Sequence, residues 1–140
     1  MSAKYFIDTN IFVNSFDDSQ PLKKEQALAL IREALETGAG IISTQVIQEF
    51  LNVAVQKFAV PMKIEDAREY LRLVLNPLRQ VYPDLALYES CLELQAETRC
   101  SFYDALILAA AIRGGCKVLY SEDLQDGQAL RGVKIMNPYR

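Results

Sequence analysis

The chain has 140 residues, 51% of them hydrophobic, with a formal net charge of −3 and a pI near 5.0. That length and apolar content suit one globular domain over residues 1–140, and the acidic balance argues against a general polyanion binder. Histidine is absent, which excludes Ser-His-Asp and Cys-His nucleophiles, His-ligated zinc and acid–base chemistry by paired imidazoles.

Cys91, Cys100 and Cys116 are odd in number and scattered, fit neither a disulfide framework nor a zinc site, and read as reduced, buried small hydrophobes. The N-terminus lacks a basic start followed by an apolar leader, and the longest apolar run, Ala105 to Ile112, is too short to span a bilayer. The expectation is a soluble cytoplasmic protein with no membrane association.

Lys4 to Ile7 is a short β-type run that ends abruptly in Asp8-Thr9-Asn10, residues able to cap a short helix over Ile11 to Phe16. After a polar loop, Pro21 suits the first turn of an amphipathic helix over Leu22 to Glu36, with Leu28, Ile31 and Leu35 as its apolar stripe and Gly38 as its stop. A second strand, Ile41 to Ser43, leads to Thr44 as N-cap of a helix over Gln45 to Phe58. There Val46, Phe50, Val53 and Ala54 face inward, Gln45 faces away, and Glu49 lies at the stripe's edge. A helix over Ile64 to Asn76 follows and is stopped by Pro77, and Gln80 to Tyr82 is a weak third strand. Pro83-Asp84 opens another helix to about Thr98.

The stretch Phe102 to Ile112 is apolar all round, so it reads as a buried helix, yet its first turn carries Asp104. Lys117 to Tyr120 is a strand ending in Ser121-Glu122-Asp123, and Val133 to Met136 is the last. Strands alternating with helices over the whole length indicate an α/β fold, a three-layer α/β/α sandwich around a mostly parallel, roughly five-stranded sheet.

In such a sheet, ligands bind outside the carboxyl ends of the strands, where the strand order reverses. Asp8 and Asp123 follow two strands at that edge. Asp104 opens a helix that runs antiparallel to the next strand, so its first turn returns there too. Glu49, early in the helix after the second strand, leans in from the same side. Clustered carboxylates repel and raise one another's pKa unless a cation joins them, and hard oxygen donors with neither His nor paired Cys select Mg²⁺ or Mn²⁺. Such a pocket suits metal-assisted phosphodiester hydrolysis.

Each acid also has a structural role open to it. Asp8 is a good N-cap, Ser101-x-x-Asp104 fits a capping-box-like start, Glu49 sits where a helix edge meets solvent, and Asp123 lies in a turn-forming loop. None of these roles explains why all four fall on one edge of the sheet. Lys23-Lys24 reads as a solvated helix face or an RNA-backbone contact, and Asp126-Gly127 as a turn.

Asp8-Thr9-Asn10 after the first strand, Glu49 in a Ser-Thr-x-x-x-x-Glu context, Tyr103-Asp104-Ala105 opening an alanine-rich helix, and Ser121-Glu122-Asp123 after a later strand together resemble the PIN domain family over essentially the whole chain. Stand-alone PIN domains of this size resemble the toxins of toxin–antitoxin pairs. The resemblance implies a metal-dependent endoribonuclease leaving 5′-phosphate and 3′-hydroxyl ends, with Asp8, Glu49, Asp104 and Asp123 holding Mg²⁺ or Mn²⁺ and Thr9, Asn10 and Ser121 supporting them. It also implies an RNA substrate, a small antitoxin partner and a homodimer formed through the apolar faces of the Gln45 and Ile64 helices. Many family members carry a further Asp at the position of Gln125, and Asp126, one step on, is the candidate to replace it. The alternative function is a catalytically weak PIN-like module that binds RNA or protein. A phospho-accepting receiver domain fits poorly, because the first strand ends Asp-Thr-Asn and Pro83-Asp84 is a poor match to an acceptor site.

Overall fold

A computed structural model describes residues 3–140; Met1 and Ser2 of the expected 1–140 domain lie outside the described residues. β1 (Tyr5–Ile7) is buried at every position, as a parallel strand covered on both faces must be. Asp8 follows with extended backbone and caps α1 (Thr9–Asn14). This helix starts earlier than Ile11 because the cap is the first residue after the strand.

α2 (Pro21–Thr37) ends at Gly38, whose φ of 73° is the left-handed conformation that glycine adopts without strain. Its buried stripe is Ala27, Ile31 and Ala34, whereas the expected Leu28 and Leu35 are 38% and 39% exposed. Close packing explains the rotation. A Cβ on Gly40 would lie 2.4 Å from Ala34 Cβ and 2.6 Å from the Tyr5 ring, so the helix approaches the sheet on its small side chains.

β2 (Gly40–Ser43) is wholly buried and runs directly into α3 (Thr44–Gln56). Ser43 is both the last strand residue and the cap, so Thr44, expected as the cap, is the first helical residue. Val46, Phe50 and Ala54 are fully buried as expected. Phe50 is the hub of an aromatic cluster, with ring centroids 6.4 Å from Phe12, 5.8 Å from Phe16, 6.1 Å from Phe58 and 5.1 Å from Tyr70. Replacing it with alanine should destabilise the fold by about 3–5 kcal/mol, measurable by urea denaturation. A cost below about 1 kcal/mol would mean that the cluster collapses onto the space.

α4 (Ile64–Tyr70) continues through a π-helical turn, Leu71–Leu75, into the single turn α5 (Asn76–Leu78). Pro77 therefore does not end the helix. The π turn resets the register so that Pro77 falls in the first turn of a new segment, where its missing N–H costs nothing.

After β3 (Arg79–Val81), Asp84 caps α6 (Leu85–Thr98) by accepting the Leu87 N–H at 2.8 Å. α7 (Phe102–Arg113) is capped by Ser101 and buries every residue from Ala105 to Ala111. Its last residue, Arg113, donates both guanidinium nitrogens to Asp84 at 2.9 Å, which clamps the end of α7 to the start of α6. β4 (Val118–Tyr120), β5 (Ala129–Leu130) and β6 (Val133–Met136) complete the sheet.

The strand order is β3-β2-β1-β4-β6-β5, all pairs parallel except the antiparallel β5–β6 hairpin. The two-residue β5 is the strand that sequence periodicity did not indicate, being too short to show an alternation. From β1 the chain steps outward to β2 and β3, then returns past β1 to β4. α1 packs with α2 and α3, α3 with α4 and α2 with α5, while α6 packs with α7, as two helical layers on opposite faces of the sheet require when parallel crossovers keep one hand. The order reverses between β1 and β4.

Cys91 and Cys116 are buried and Cys100 half-buried, all as free thiols, and burial pushes the Cys116 thiol up to about 12. No described helix is long and apolar enough to cross a membrane.

Candidate functional site

β1 and β4 stay paired to their carboxyl ends, but the connections that leave them part where the strand order reverses, and a cleft of about 280 Å³ opens there. Asp8, Glu49, Asp104 and Asp123 all line it, together with Thr9 and Asn10, and no Lys or Arg does. Four elements thus deliver the acids: the end of β1, the second turn of α3, the first turn of α7 and the loop after β4.

Asp8 is 8% exposed. One carboxylate oxygen accepts the Thr9 N–H at 2.7 Å, and the other accepts the Ser121 hydroxyl at 2.8 Å. Burial raises the Asp8 carboxyl from its ordinary 3.8 to about 6; the Ser121 and Thr9 bonds oppose the rise, and the Glu49 and Asp123 charges add to it. Ser121, fully buried, also accepts the Leu124 N–H at 3.2 Å, so one hydroxyl both orients Asp8 and folds the loop that carries Asp123. Ser121→Ala should cost about 1–3 kcal/mol at neutral pH, because a buried carboxylate oxygen loses its donor. Urea denaturation at pH 7 checks this, and a neutral result would show that the loop rearranges to supply another donor.

Thr9 donates its hydroxyl to Glu49 at 2.6 Å. Gln45, one turn before Glu49, donates its amide to Glu49 at 3.4 Å and to the Tyr103 carbonyl at 3.1 Å, which joins α3 to the start of α7. Asn10 donates its amide to Asp123. Burial, with the neighbouring Glu122 and Asp104 charges, raises the Asp123 carboxyl above the usual range. Asp104 uses its backbone N–H to complete the Ser101 cap at 3.2 Å, and its side chain lines the cleft.

Asp126 does not line the cleft. Its carboxylate accepts the Asn137 N–H at 2.8 Å, which fastens the loop to the end of β6. Lys23 is not a free surface cation either: it pairs with Glu122, and its ammonium lies 5.3 Å from the centre of the Tyr139 ring. That pair and the Asn14 amide, 3.1 Å from Glu122, hold the Glu122 carboxyl below the usual range although its burial works the other way.

Gln45 was expected to face away from the core and instead is 7% exposed. It lines the cleft with Asn52 and Tyr103. The signal for both was present, since Gln45 and Asn52 lie four before and three after Glu49 and so share its helix face.

The donor set fits a hard divalent cation: carboxylate and amide or hydroxyl oxygens, with no side-chain cation among the cleft residues to neutralise the acids. Among the described residues no three acidic side chains converge as a ready-made metal cage. The carboxylates of Asp8, Glu49 and Asp123 are each braced by hydrogen-bond donors, whereas Asp104 is tied to the structure through its backbone N–H.

No curated protein sequence matches the chain. Solved structures do. A toxin–antitoxin complex from Klebsiella pneumoniae aligns at 24% identity over 99% of this chain and 98% of that one, with a TM-score of 0.66. VapBC2 from Rickettsia felis, bound to a DNA fragment from its promoter, aligns at 18% identity over 95% and 97% with a TM-score of 0.64. VapC20 from Mycobacterium tuberculosis, a sarcin-ricin loop cleaving toxin, aligns at 18% over 86% and 90% with a TM-score of 0.60. At these identities the likeness speaks for the fold. The PIN domain family model matches residues 5–126, most of the chain, and on that match the chain belongs to the PIN domain family.

Proposed function

We propose that this protein is a Mg²⁺- or Mn²⁺-dependent endoribonuclease, the toxin of a toxin–antitoxin pair, acting as one cytoplasmic PIN-like domain over residues 1–140. The observation that carries this reading is the cleft at the β1–β4 reversal, lined by four carboxylates and by no Lys or Arg. Membership of the PIN domain family and the likeness to toxin–antitoxin structures support it.

In this reading Asp8, Glu49, Asp104 and Asp123 hold the cation. When bound, it supplies an acidified water and neutralises charge on the phosphate and the leaving oxygen. The chain's own residues position everything else. Ser121 and the Thr9 N–H fix the Asp8 carboxylate, the Thr9 hydroxyl and the Gln45 amide fix Glu49, and Asn10 fixes Asp123. The acid-lined walls repel an RNA backbone until a cation offsets them, so RNA binding and metal binding are coupled.

A small antitoxin and a second copy of the chain are the proposed protein partners. The apolar face of α3 is spent on the core, through Val46, Phe50 and Ala54. The homodimer proposal therefore rests on the α4 side, where Ile64 and Leu73 are 65% and 62% exposed.

A second reading, a catalytically weak module that binds RNA or protein, draws on one observation: Asp126, the candidate to replace an acid at Gln125, turns to Asn137 instead of the cleft. Calorimetric Mn²⁺ titration and cleavage of a labelled RNA, for the wild type and Asp104→Asn, separate the two. The nuclease reading expects saturable binding and cleavage that both fall in the variant. Absence of metal binding and of cleavage in the wild type would sink it.

A further inference from the structure

The segment from Ser121 to Gln128, between β4 and β5, is neither helix nor strand, and it carries Asp123. Its backbone is pinned near both ends, where the Ser121 and Gly127 N–H groups donate to the Met136 and Ile135 carbonyls at 3.0 and 2.8 Å. In between, Glu122 and Asp123 are held by their side chains. Asn10 and Asn14 lie one turn apart, on one face of α1, and grip the two acids in turn. Asn10 donates to Asp123, and Asn14 donates to Glu122 at 3.1 Å. Two consecutive acids on an irregular loop offer the metal site a choice of ligand.

The groups that make this choice stand outside the cleft. Glu122 does not line it, and pairs instead with Lys23 of α2; the Glu122 and Lys23 side chains are only 24% and 32% exposed. The Asn14 amide also donates to the Tyr139 hydroxyl at 2.8 Å, and the Tyr139 ring faces the Lys23 ammonium. Lys23 therefore meets a carboxylate on one side and an aromatic face on the other, in a half-buried place where salt screens a pair less than at the open surface. Glu122 accepts from a cation and an amide together, whereas Asp123 accepts from one neutral amide. The stronger hold is on Glu122, and it decides which way the loop turns.

We infer that Lys23 is a positioning residue for the metal site: by binding Glu122 it turns that acid toward α2 and sets the next residue, Asp123, into the cleft within reach of Asn10. This rests on the metal-dependent nuclease reading for the role of Asp123, while the setting of the loop is a property of the metal-free protein. In this role Lys23 serves the reaction without touching RNA.

Removing Lys23 separates positioning from charge, because the two predict opposite signs. Taking a cation away from the neighbourhood of four carboxylates, by field alone, strengthens their attraction for a divalent ion. Positioning predicts weaker binding. Without Lys23, Glu122 is released, the loop turns, and Asp123 leaves the place where Asn10 holds it.

The test has two arms, both on the full chain. In the first, ¹H–¹⁵N spectra of the metal-free protein report the side-chain amides of Asn10 and Asn14. Both should shift in Lys23→Met and return in Lys23→Arg, whereas an ion pair with no reach into the cleft would move Asn14 alone. Glu122→Gln keeps an acceptor for Asn14 and loses the ion pair; it should shift the Asn10 amide likewise, and serves as a second variant should Lys23→Met fail to fold. In the second arm, Mn²⁺ is titrated calorimetrically at about 0.15 M salt. Kd should be about tenfold weaker in Lys23→Met and within about twofold of the wild type in Lys23→Arg. In an Asp123→Asn background, Lys23→Met should change Kd by less than about twofold, since the group it acts through is gone. An Asn10 amide that stays in place would overturn the proposal, as would a Lys23→Met protein that binds Mn²⁺ as tightly as the wild type or tighter. A wild type that binds no Mn²⁺, with its Asn10 amide still responding to Lys23, would instead overturn the nuclease reading and leave the setting of the loop by Lys23 standing.

Discussion

Asp104→Asn is expected to lower metal-dependent RNA cleavage by at least about 100-fold while leaving the fold intact. The argument is one of charge and of local wiring. The cleft carries four carboxylates and no lining cation, so each formal charge removed weakens the attraction for a divalent ion at short range and low dielectric. Unlike Asp8, Glu49 and Asp123, whose carboxylates are fixed by bonds from Ser121, Thr9 and Asn10, Asp104 ties itself to the structure through its backbone N–H on the Ser101 cap. An amide at this position keeps that cap. Stability should change by less than about 0.5 kcal/mol, as expected for a change away from the core. Single-turnover cleavage with Mn²⁺, beside a urea melt of the same preparation, checks both halves. Retained cleavage would remove Asp104 from the metal set, and a large loss of stability would give it a structural role instead.

The second large effect concerns Asp8 in the metal-free protein. Its carboxyl titrates at about 6 in the fold against an ordinary value of 3.8, chiefly because it is buried. The fold therefore prefers the protonated form. The stability linked to this group is fully present below pH 3.8 and is lost as the pH rises through 6. That interval corresponds to about 3 kcal/mol, an upper bound since water and local relaxation soften a buried charge.

Asp8→Asn carries no such charge. Its oxygen can keep the Thr9 N–H, and its amide can donate to the Ser121 hydroxyl. The variant should match the wild type near pH 4 and exceed it by up to about 3 kcal/mol above pH 7, without metal. Adding Mn²⁺ at about a thousandfold excess over the wild-type Kd should reverse the ranking, because the wild type then gains about 4.1 kcal/mol of binding energy and the variant, short of one charge, gains far less. Denaturation curves from pH 4 to 8, with EDTA and then with Mn²⁺, decide the matter. A stability gap that narrows toward neutral pH would contradict burial as the cause.

Asp8 shows a conflict between stability and function. A charge held in a nearly dry site destabilises the apo fold, and the same charge makes the site a strong oxygen donor. Ser121 and Thr9 moderate the conflict without cancelling it, as the raised Asp8 carboxyl records.

Much of this was readable from the residue order alone. Alternation of short apolar runs with amphipathic segments determined the α/β class, and the apolar stretch after Asp104 determined a buried helix, now α7 with every residue from Ala105 to Ala111 buried. The position of Asp8, Asp104 and Asp123 at element ends determined that they would share one edge, because parallel strands all end on the same side. What the residue order did not decide was contact across distance. Lys23 and Glu122 are 99 residues apart and Thr9 and Glu49 are 40 apart, and no local pattern marks either pair.

The tertiary structure alone decided which side of α2 meets the sheet, since Gly40 and Ala34 permit a close approach that leucines would block. It decided that Pro77 continues a helix, through a π turn invisible to periodicity. It also turned Asp126 to Asn137 and Gln45 into the cleft wall, because a buried amide goes where its hydrogen bonds are met, and those partners come from other elements.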